Sequence, residues 1–250
     1  MKNSSRTAKA AVALFWILLW EIAALLIGNR IILISPIEAI ARLLELMQTA
    51  VFWRSLAAST GRVMLGFLLS LLVAIPLACL ANFRRTVALL LAPLVKTMRA
   101  IPVASFVILA LILFRSRVLS ILIAFTVAFP VLYTSMLDAL AMRSTALHEM
   151  ARVFRIPLLR RIRYLDLFEL MPSLSTACRM AIGMAWKAGI AAELIGIPKL
   201  SVGEHLQQAK TYLDMADLFA WTVAVIAASI LCERLVLFLL HTIETRFLRF

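Results

Sequence analysis

The sequence predicts an all-α, polytopic membrane protein with six transmembrane helices. Hydrophobic residues make up 64% of its 250 residues, well above the roughly 45–50% of soluble domains. Six apolar stretches are long enough for a hydrocarbon core that takes about 20 helical residues to cross. One long charged stretch, residues 138–172, interrupts them. The six predicted spans are residues 10–28, 63–83, 87–114, 118–140, 172–195 and 218–241.

A shorter helix is expected between the first and second spans. Pro36 opens it, since proline is favoured in the first turn of a helix. Its apolar residues are Ile40, Leu43, Leu44 and Met47, which indicate a helix lying at the membrane interface, with Trp53 as an interfacial anchor. Residues 1–60 are therefore predicted to hold the first span and this helix, and residues 61–250 the core transmembrane domain.

The third span is expected to be broken. Pro93 and Pro102 lie within it, and each removes a backbone donor and kinks a helix. Such a break is tolerated in a membrane only where protein or water satisfies the freed backbone groups.

A short amphipathic helix is predicted inside the charged stretch. From residue 144 to 156 the apolar residues Leu147, Met150, Ala151 and Phe154 recur at helical spacing. Ser144 can cap its start, and Pro157 disfavours its continuation. We expect an uninterrupted helix through Arg155, because arginine adopts a positive φ only at a cost.

Two interpretations of this stretch stay open. The arginines beside the helix can act as a solvated charge run that keeps the loop in the cytoplasm. Alternatively, the apolar face docks into a groove on a soluble partner. The basic run consists of Arg152, Arg155, Arg160, Arg161 and Arg163.

The placement of lysine and arginine predicts the orientation. With the N-terminus in the cytoplasm, thirteen of the 26 basic residues fall on that side and seven on the other. The remaining six lie within or beside spans. The positive-inside rule therefore favours cytoplasmic N- and C-termini and a cytoplasmic loop. It also accounts for the net charge of +13 without nucleic-acid binding.

Small residues recur every four positions along the fifth span. They are Ala177, Ala181, Ala185 and Gly189. Such a stripe lets two helices approach closely in lipid. It fits either an interface between two copies of the chain or packing within one copy.

Charged residues inside spans cost about 2.5–3.5 kcal/mol at a helix centre, so each calls for an explanation. Lys187 and Arg179 are candidates for a substrate pathway, with ion pairing inside the bundle or snorkelling as the alternative. Glu193, at the end of the fifth span, either bonds loop backbone or lines the mouth of the pathway. Glu233 and Arg234 are expected to form a structural pair.

Several enzymatic signatures are absent from the sequence. No phosphate-binding G-x-x-x-x-G-K-[ST] motif occurs. His148-Glu149 begins like a zinc-protease signature, but Arg152 stands where the second histidine is required. No catalytic residue or metal site is predicted. The three cysteines, expected to be packing residues, are Cys79, Cys178 and Cys232.

The segment from Glu149 to Arg155, closing at Pro172, resembles the EAA loop of importer-type ABC permeases. That motif has E-A-A, three residues, a glycine and a later proline. Glu149, Ala151 and Pro172 match it, whereas Met150 replaces the first alanine and Arg155 the glycine. Phe168 also stands where this branch often has an earlier proline. Residues 33–36, 59–67, 99–102 and 186–193 resemble, in the same order, the nitrate/sulfonate/taurine/bicarbonate branch.

The resemblance implies a type I ABC importer permease fold in a bacterial inner (plasma) membrane. It implies a second permease copy in a homodimer, two ATPase subunits and an extracytoplasmic substrate-binding protein. This chain would bind no cofactor, and the ATPase would use ATP. Residues 144–157 would form a coupling helix whose apolar face enters the ATPase, and the substrate would be a small anion, sulfonate or related organic solute. The implied ATPase-coupling residues are Leu147, Glu149, Met150, Ala151, Arg152, Phe154 and Arg155.

Two other functions stay open on the residues alone. A secondary transporter working by itself would favour inverted repeats and paired broken helices, whereas one broken span is expected here. A lipid-modifying membrane enzyme would need a cluster of His, Asp or Glu at one membrane face. The spacing of these residues supplies none.

Overall fold

The computed structural model describes residues 2–29, 32–161 and 165–248, and no β-strand occurs in these ranges. The prediction of an all-α protein is confirmed. The helices are α1 (Lys2–Ile27), α2 (Pro36–Met47), α3 (Ala50–Phe83), α4 (Arg85–Ala100), α5 (Val103–Leu113), α6 (Ser116–Ala141), α7 (Thr145–Val153), α8 (Leu158–Arg161), α9 (Leu167–Gly196), α10 (Val202–Tyr212) and α11 (Met215–Leu248).

Three of the described helices, α3, α6 and α11, are long and apolar enough to cross a membrane. The bent pair of α4 and α5 makes a fourth if it counts as one span. In α1 the apolar part is the shorter segment Leu14–Ile27. Helix α9 has 30 residues but carries charged side chains along its length. The predicted total of six spans therefore stays a prediction.

The third predicted span is broken at Pro102. Helices α4 and α5 meet there at an angle of 105°, and Pro102 is the N-cap residue of α5. Pro93 instead lies inside α4, where its carbonyl accepts a hydrogen bond from the Thr97 hydroxyl at 2.8 Å. Of the two prolines expected to interrupt the span, only Pro102 lies at the break.

The predicted short helix after the first span is confirmed as α2. The Ser35 side chain caps it by accepting a hydrogen bond from the Glu38 amide at 3.2 Å, and Pro36 occupies its first turn. Arg42 joins α2 to α11 through an ion pair with Asp217 at 2.5 Å. The hydrogen bonds that Arg42 donates to Asp217 and Glu45 raise the pKa of Arg42 above its usual range.

Helices α3, α6 and α9 form the centre of the protein. The stripe of small residues on α9 is buried here, inside one chain. A Cβ atom on Gly189 would lie 2.7 Å from Cγ2 of Val63 in α3, so the two helices touch at this point. The assignment of the stripe to a dimer interface is wrong, because its small side chains are used for packing within the chain. The stripe consists of Ala177, Ala181, Ala185 and Gly189.

The fully buried carboxylate of Glu193 connects four helices. From α3, the Ser59 hydroxyl donates to it at 2.5 Å and the Arg62 guanidinium pairs with it at 3.0 Å. From α6, the Ser120 hydroxyl donates at 3.1 Å, and from α10 the Gly203 amide donates at 3.4 Å. Its partners are therefore three side chains and one helix amide rather than loop backbone, and Glu193 is buried inside the bundle instead of being exposed to a pathway.

These contacts fix the directions of the central helices. Glu193 lies near the C-terminus of α9, whereas Ser59 and Ser120 lie in the N-terminal parts of α3 and α6. Helices α3 and α6 therefore run parallel to each other and antiparallel to α9. We call this end of the bundle the Glu193 end and the opposite end, where α6 leads into α7, the α7 end.

Replacing Glu193 tests the importance of this connection. Glu193→Ala should lower the free energy of unfolding by about 3–5 kcal/mol, because it leaves the largely buried Arg62 without its counter-charge. Unfolding in mixed detergent micelles measures the change. The matched control is Glu45→Ala, which removes an exposed pair with Arg42 and should cost less than about 1 kcal/mol. Equal losses in both variants would contradict the role given to Glu193.

Candidate functional site

Helix α7 is the short amphipathic helix that the charged stretch predicts. The Ser144 side chain caps it by accepting a hydrogen bond from the Leu147 amide at 3.4 Å. It has nine residues, or about 14 Å at 1.5 Å per residue. The helix is therefore shorter than the predicted stretch of residues 144–157.

The expectation of an uninterrupted helix through Arg155 is wrong. Helix α7 ends at Val153, and Arg155 adopts the left-handed conformation with φ 51°. The Arg155 amide donates to the Arg152 carbonyl at 3.1 Å and the Ile156 amide to the Ala151 carbonyl at 2.9 Å. This pair of bonds is the Schellman motif, whose left-handed position glycine fills without strain. The geometry supplies a physical reason for the glycine that the EAA motif has here.

Helix α7 presents a continuous apolar surface to its surroundings. Val153 is 77% exposed and Phe154 72% exposed, while Leu147 and Met150 are 40% and 44% exposed. We call these four residues the α7 surface. Ala151 is only 2% exposed, so its inclusion in a docking face is wrong. It packs against the chain itself. The periodicity missed Val153, because it assumed a longer helix.

A half-buried carboxylate anchors α7 to α9. Asp166, just before α9, pairs with Arg143 at 2.6 Å and with Nε2 of His148 at 2.9 Å. Nδ1 of His148 lies 2.9 Å from the Ser144 carbonyl oxygen. We call Arg143, His148 and Asp166 the Asp166 anchor. It holds α7 between the end of α6 and the start of α9.

The electrostatics of the anchor favour the charged carboxylate. Desolvation by burial raises the pKa of Asp166, but hydrogen bonds from His148 and Arg143, with the charge of Arg143, outweigh it and hold the pKa below its usual value. The spacing of His148 suggests only a zinc ligand, so sequence patterns miss its role in the anchor. An aspartate that follows the run of arginines in this loop was the available signal.

Charged side chains surround the α7 surface. Glu149, Arg152 and Arg155 are exposed, and none of them forms an ion pair within the described ranges. Arg160 is also exposed and Arg161 is half-buried. Arg163 lies outside the described residues. The α7 surface therefore has an apolar centre and a predominantly basic rim.

The pathway candidates on α9 have different environments. Arg179 pairs with Glu233 of α11 at 3.5 Å, so the expected pairing of Glu233 with Arg234 is wrong. Lys187 is exposed and forms no ion pair with any described residue. It shares one face of α9 with other exposed residues that none of the described helices covers. These are Thr176, Met180, Met184 and Ala191.

Within the described ranges, no three His, Cys, Asp or Glu side chains converge as metal ligands. The three cysteines are free, with Cys178 buried and Cys79 and Cys232 half-buried.

Comparisons with known proteins converge on one family of membrane components. Residues 66–249 match the model of the binding-protein-dependent transport system inner membrane component. The bicarbonate transport system permease protein CmpB of Synechococcus elongatus is 26% identical over 77% of this chain and 69% of its own. A putative aliphatic sulfonates transport permease protein, SsuC of Bacillus subtilis, is 27% identical over 82% of this chain and 74% of the SsuC sequence. The taurine transport system permease protein TauC of Escherichia coli is 25% identical over 83% of this chain and 77% of the TauC sequence.

The end of α7 can be tested with a single substitution. Arg155→Gly should stabilise the Schellman motif by about 1 kcal/mol, because glycine adopts the left-handed conformation without the penalty of a side chain. Hydrogen exchange of the 155 and 156 amides, followed by mass spectrometry, should slow about fivefold. The control, Arg152→Gly, places glycine inside α7 and should accelerate exchange. Faster exchange in Arg155→Gly would contradict the assigned turn.

Proposed function

The chain belongs to the binding-protein-dependent transport system inner membrane component family, and on that premise we propose that α7 couples it to a separate ATPase. Family membership makes the protein the permease subunit of an ABC importer, embedded in the membrane and without catalytic activity of its own. A secondary transporter working alone and a lipid-modifying enzyme are thereby set aside. ATP would be bound and hydrolysed by the partner.

The α7 surface is the observation that carries the coupling proposal. Four apolar side chains stand exposed on a helix outside the predicted spans. Burying such side chains on a partner is favourable by about 25 cal/mol per Å² of apolar area. Glu149, Arg152 and Arg155 supply polar contacts around them, whereas Ala151 supports α7 from inside.

The Asp166 anchor gives this contact a mechanical consequence. Because Arg143 follows α6 and Asp166 precedes α9, a push on α7 is passed to both central helices at once. Closure of an ATPase pair would move the two α7 helices as rigid bodies. The attached spans would then switch the side of the membrane to which the pathway opens, as in other bistable rearrangements.

The pathway lies between two copies of the chain, and each copy supplies one of its walls. Lys187 lies within the fifth predicted span and faces away from its own bundle, a costly position if lipid surrounds it. We place it against the aqueous pathway between two copies, on the face of α9 that carries Thr176 and Met184. Arg179 borders that face through its pair with Glu233.

The α7 end is assigned to the cytoplasm and the Glu193 end to the extracytoplasmic binding protein. The excess of basic residues at the α7 end supports this orientation. Both α1 and α11 also have their chain-terminal ends directed away from the Glu193 end. The ring centroid of Trp20, in the C-terminal half of α1, lies 5.4 Å from that of Phe219 at the start of α11.

The substrate is assigned to small anions, the class to which relatives named for bicarbonate and sulfonates point.

The coupling proposal is tested by capture of the ATPase on tagged permease. Phe154→Asp should reduce the captured ATPase at least about tenfold, because it brings an unpaired charge into an apolar contact. Tyr212→Asp is the matched control, since Tyr212 is 81% exposed but lies on α10 at the Glu193 end. Full capture by a correctly inserted Phe154→Asp protein, or equal loss in Tyr212→Asp, would refute coupling through α7.

The position of Lys187 is tested by thiol labelling in a variant without the three native cysteines. Lys187→Cys should react with a membrane-impermeant methanethiosulfonate roughly tenfold faster than Leu72→Cys, because the thiolate needs water. Leu72 is 72% exposed and lies beside other leucines of α3. This position makes it a lipid-facing control. Equally slow labelling of both variants would contradict a pathway position for Lys187.

A further inference from the structure

A cavity of about 320 Å³ opens at the Glu193 end between two separate walls. One wall is the start of α6, and the other is the loop that joins α9 to α10. We call this cavity the cationic pocket. Its lining residues are Arg115, Ser116, Arg117, Ile197, Pro198 and Lys199.

The pocket concentrates positive charge, and its lining residues include no carboxylate. Arg115, Arg117 and Lys199 are all exposed, and none of them pairs with a carboxylate of the described residues. The N-terminus of α6 adds the partial positive charge of a helix dipole, and no side chain caps it. Three cations around one concave site raise the local concentration of anions.

The loop wall is held in a defined, strained conformation. Ile197 and Leu200 have φ values of 44° and 56°, in the left-handed region that costs side-chain-bearing residues energy. Arg62 fixes the loop by donating to the carbonyls of Lys199 at 3.2 Å and Leu200 at 3.3 Å. Pro198 is buried. Strain of this kind persists only where the surroundings enforce it, and it occurs often at binding sites.

One carboxylate sets the separation between the two walls. Glu193 pairs with Arg62, which holds the loop, and accepts a hydrogen bond from Ser120, three residues after Arg117 on α6. The two walls that carry the cations are therefore preorganised around the cavity. Preorganisation lowers the ordering cost of binding a small ligand.

We propose that the cationic pocket binds a small carboxylate- or sulfonate-type anion at the Glu193 end, before the anion enters the pathway. The inference deepens the proposed function and rests on its assignment of anionic substrates. An acidic face of a protein partner is the competing occupant. Cations from two separate walls line one cavity of small-molecule size, which favours a small ligand over a broad protein surface.

Binding can be measured directly with ethanesulfonate as the probe. The full-length protein in nanodiscs of neutral phosphatidylcholine is titrated and followed by saturation-transfer NMR. Arg117→Gln and Lys199→Gln should each raise the Kd roughly five- to tenfold, because each removes one direct charge interaction. Lys210→Gln and Arg54→Gln, which remove exposed cations outside the cavity, should leave the Kd unchanged. The neutral probe dimethyl sulfone should not bind.

Other outcomes would overturn the proposal. If wild-type protein and the Arg117→Gln/Lys199→Gln double variant bind ethanesulfonate equally, the cations are only solvated surface charges. If probe binding is unchanged but capture of the substrate-binding protein is lost, the surface docks an acidic protein face instead. Capture of the ATPase is measured in parallel. Its retention in every variant would confine a negative result to the pocket and leave coupling through α7 standing.

Discussion

The buried carboxylate of Glu193 is the constraint on which the rest of the structure depends. Removing such a charge from water costs several kcal/mol, and the cost is offset by Arg62, two hydroxyl groups and a backbone amide. Since these donors come from α3, α6 and α10, the carboxylate is satisfied only when those helices meet α9 in one arrangement. A Cβ atom at Gly203 would lie 2.3 Å from the Glu193 carbonyl carbon, so α10 packs directly against the backbone of α9 at this point.

The two ends of the bundle are held together by different contacts, and this difference suits the transmission of a force from α7 along the helices. At the Glu193 end four helices are joined through one fully buried group. At the α7 end the Asp166 anchor is partly exposed and fastens one short helix to α6 and α9. Between the two ends, α3, α6 and α9 each contain a proline: Pro76, Pro130 and Pro172. A force on α7 would therefore act on α6 and α9, which are held at their far end and each contain a proline.

Sequence patterns predicted those features that local spacing determines. The start of α2 at Pro36, the cap of α7 at Ser144 and the break at Pro102 each follow from the chemistry of one or two residues. The end of α7 was not predictable in this way. Arg155 disfavours a left-handed turn locally, and the two backbone hydrogen bonds that close the motif override that preference.

Contacts between residues that are distant in sequence could not be predicted from local sequence patterns. A stripe of small residues has the same spacing whether it packs against α3 or against a second copy, so the burial of Ala181 had to come from the structure. Likewise, the partners of Glu193 lie up to 134 residues away in the chain. The resemblance to the EAA loop identified the family, whereas His148 and Val153 acquired their roles only from the fold.

The central claim is that the ATPase contacts this permease through the α7 surface. The most direct measurement is site-specific photo-crosslinking in the assembled importer, with p-benzoylphenylalanine at position 153, the most exposed large apolar residue of α7. The account predicts a crosslink between position 153 and the ATPase subunit, and none from the same probe at position 212. A crosslink from position 212, or none from position 153 in an importer that hydrolyses ATP, would contradict it.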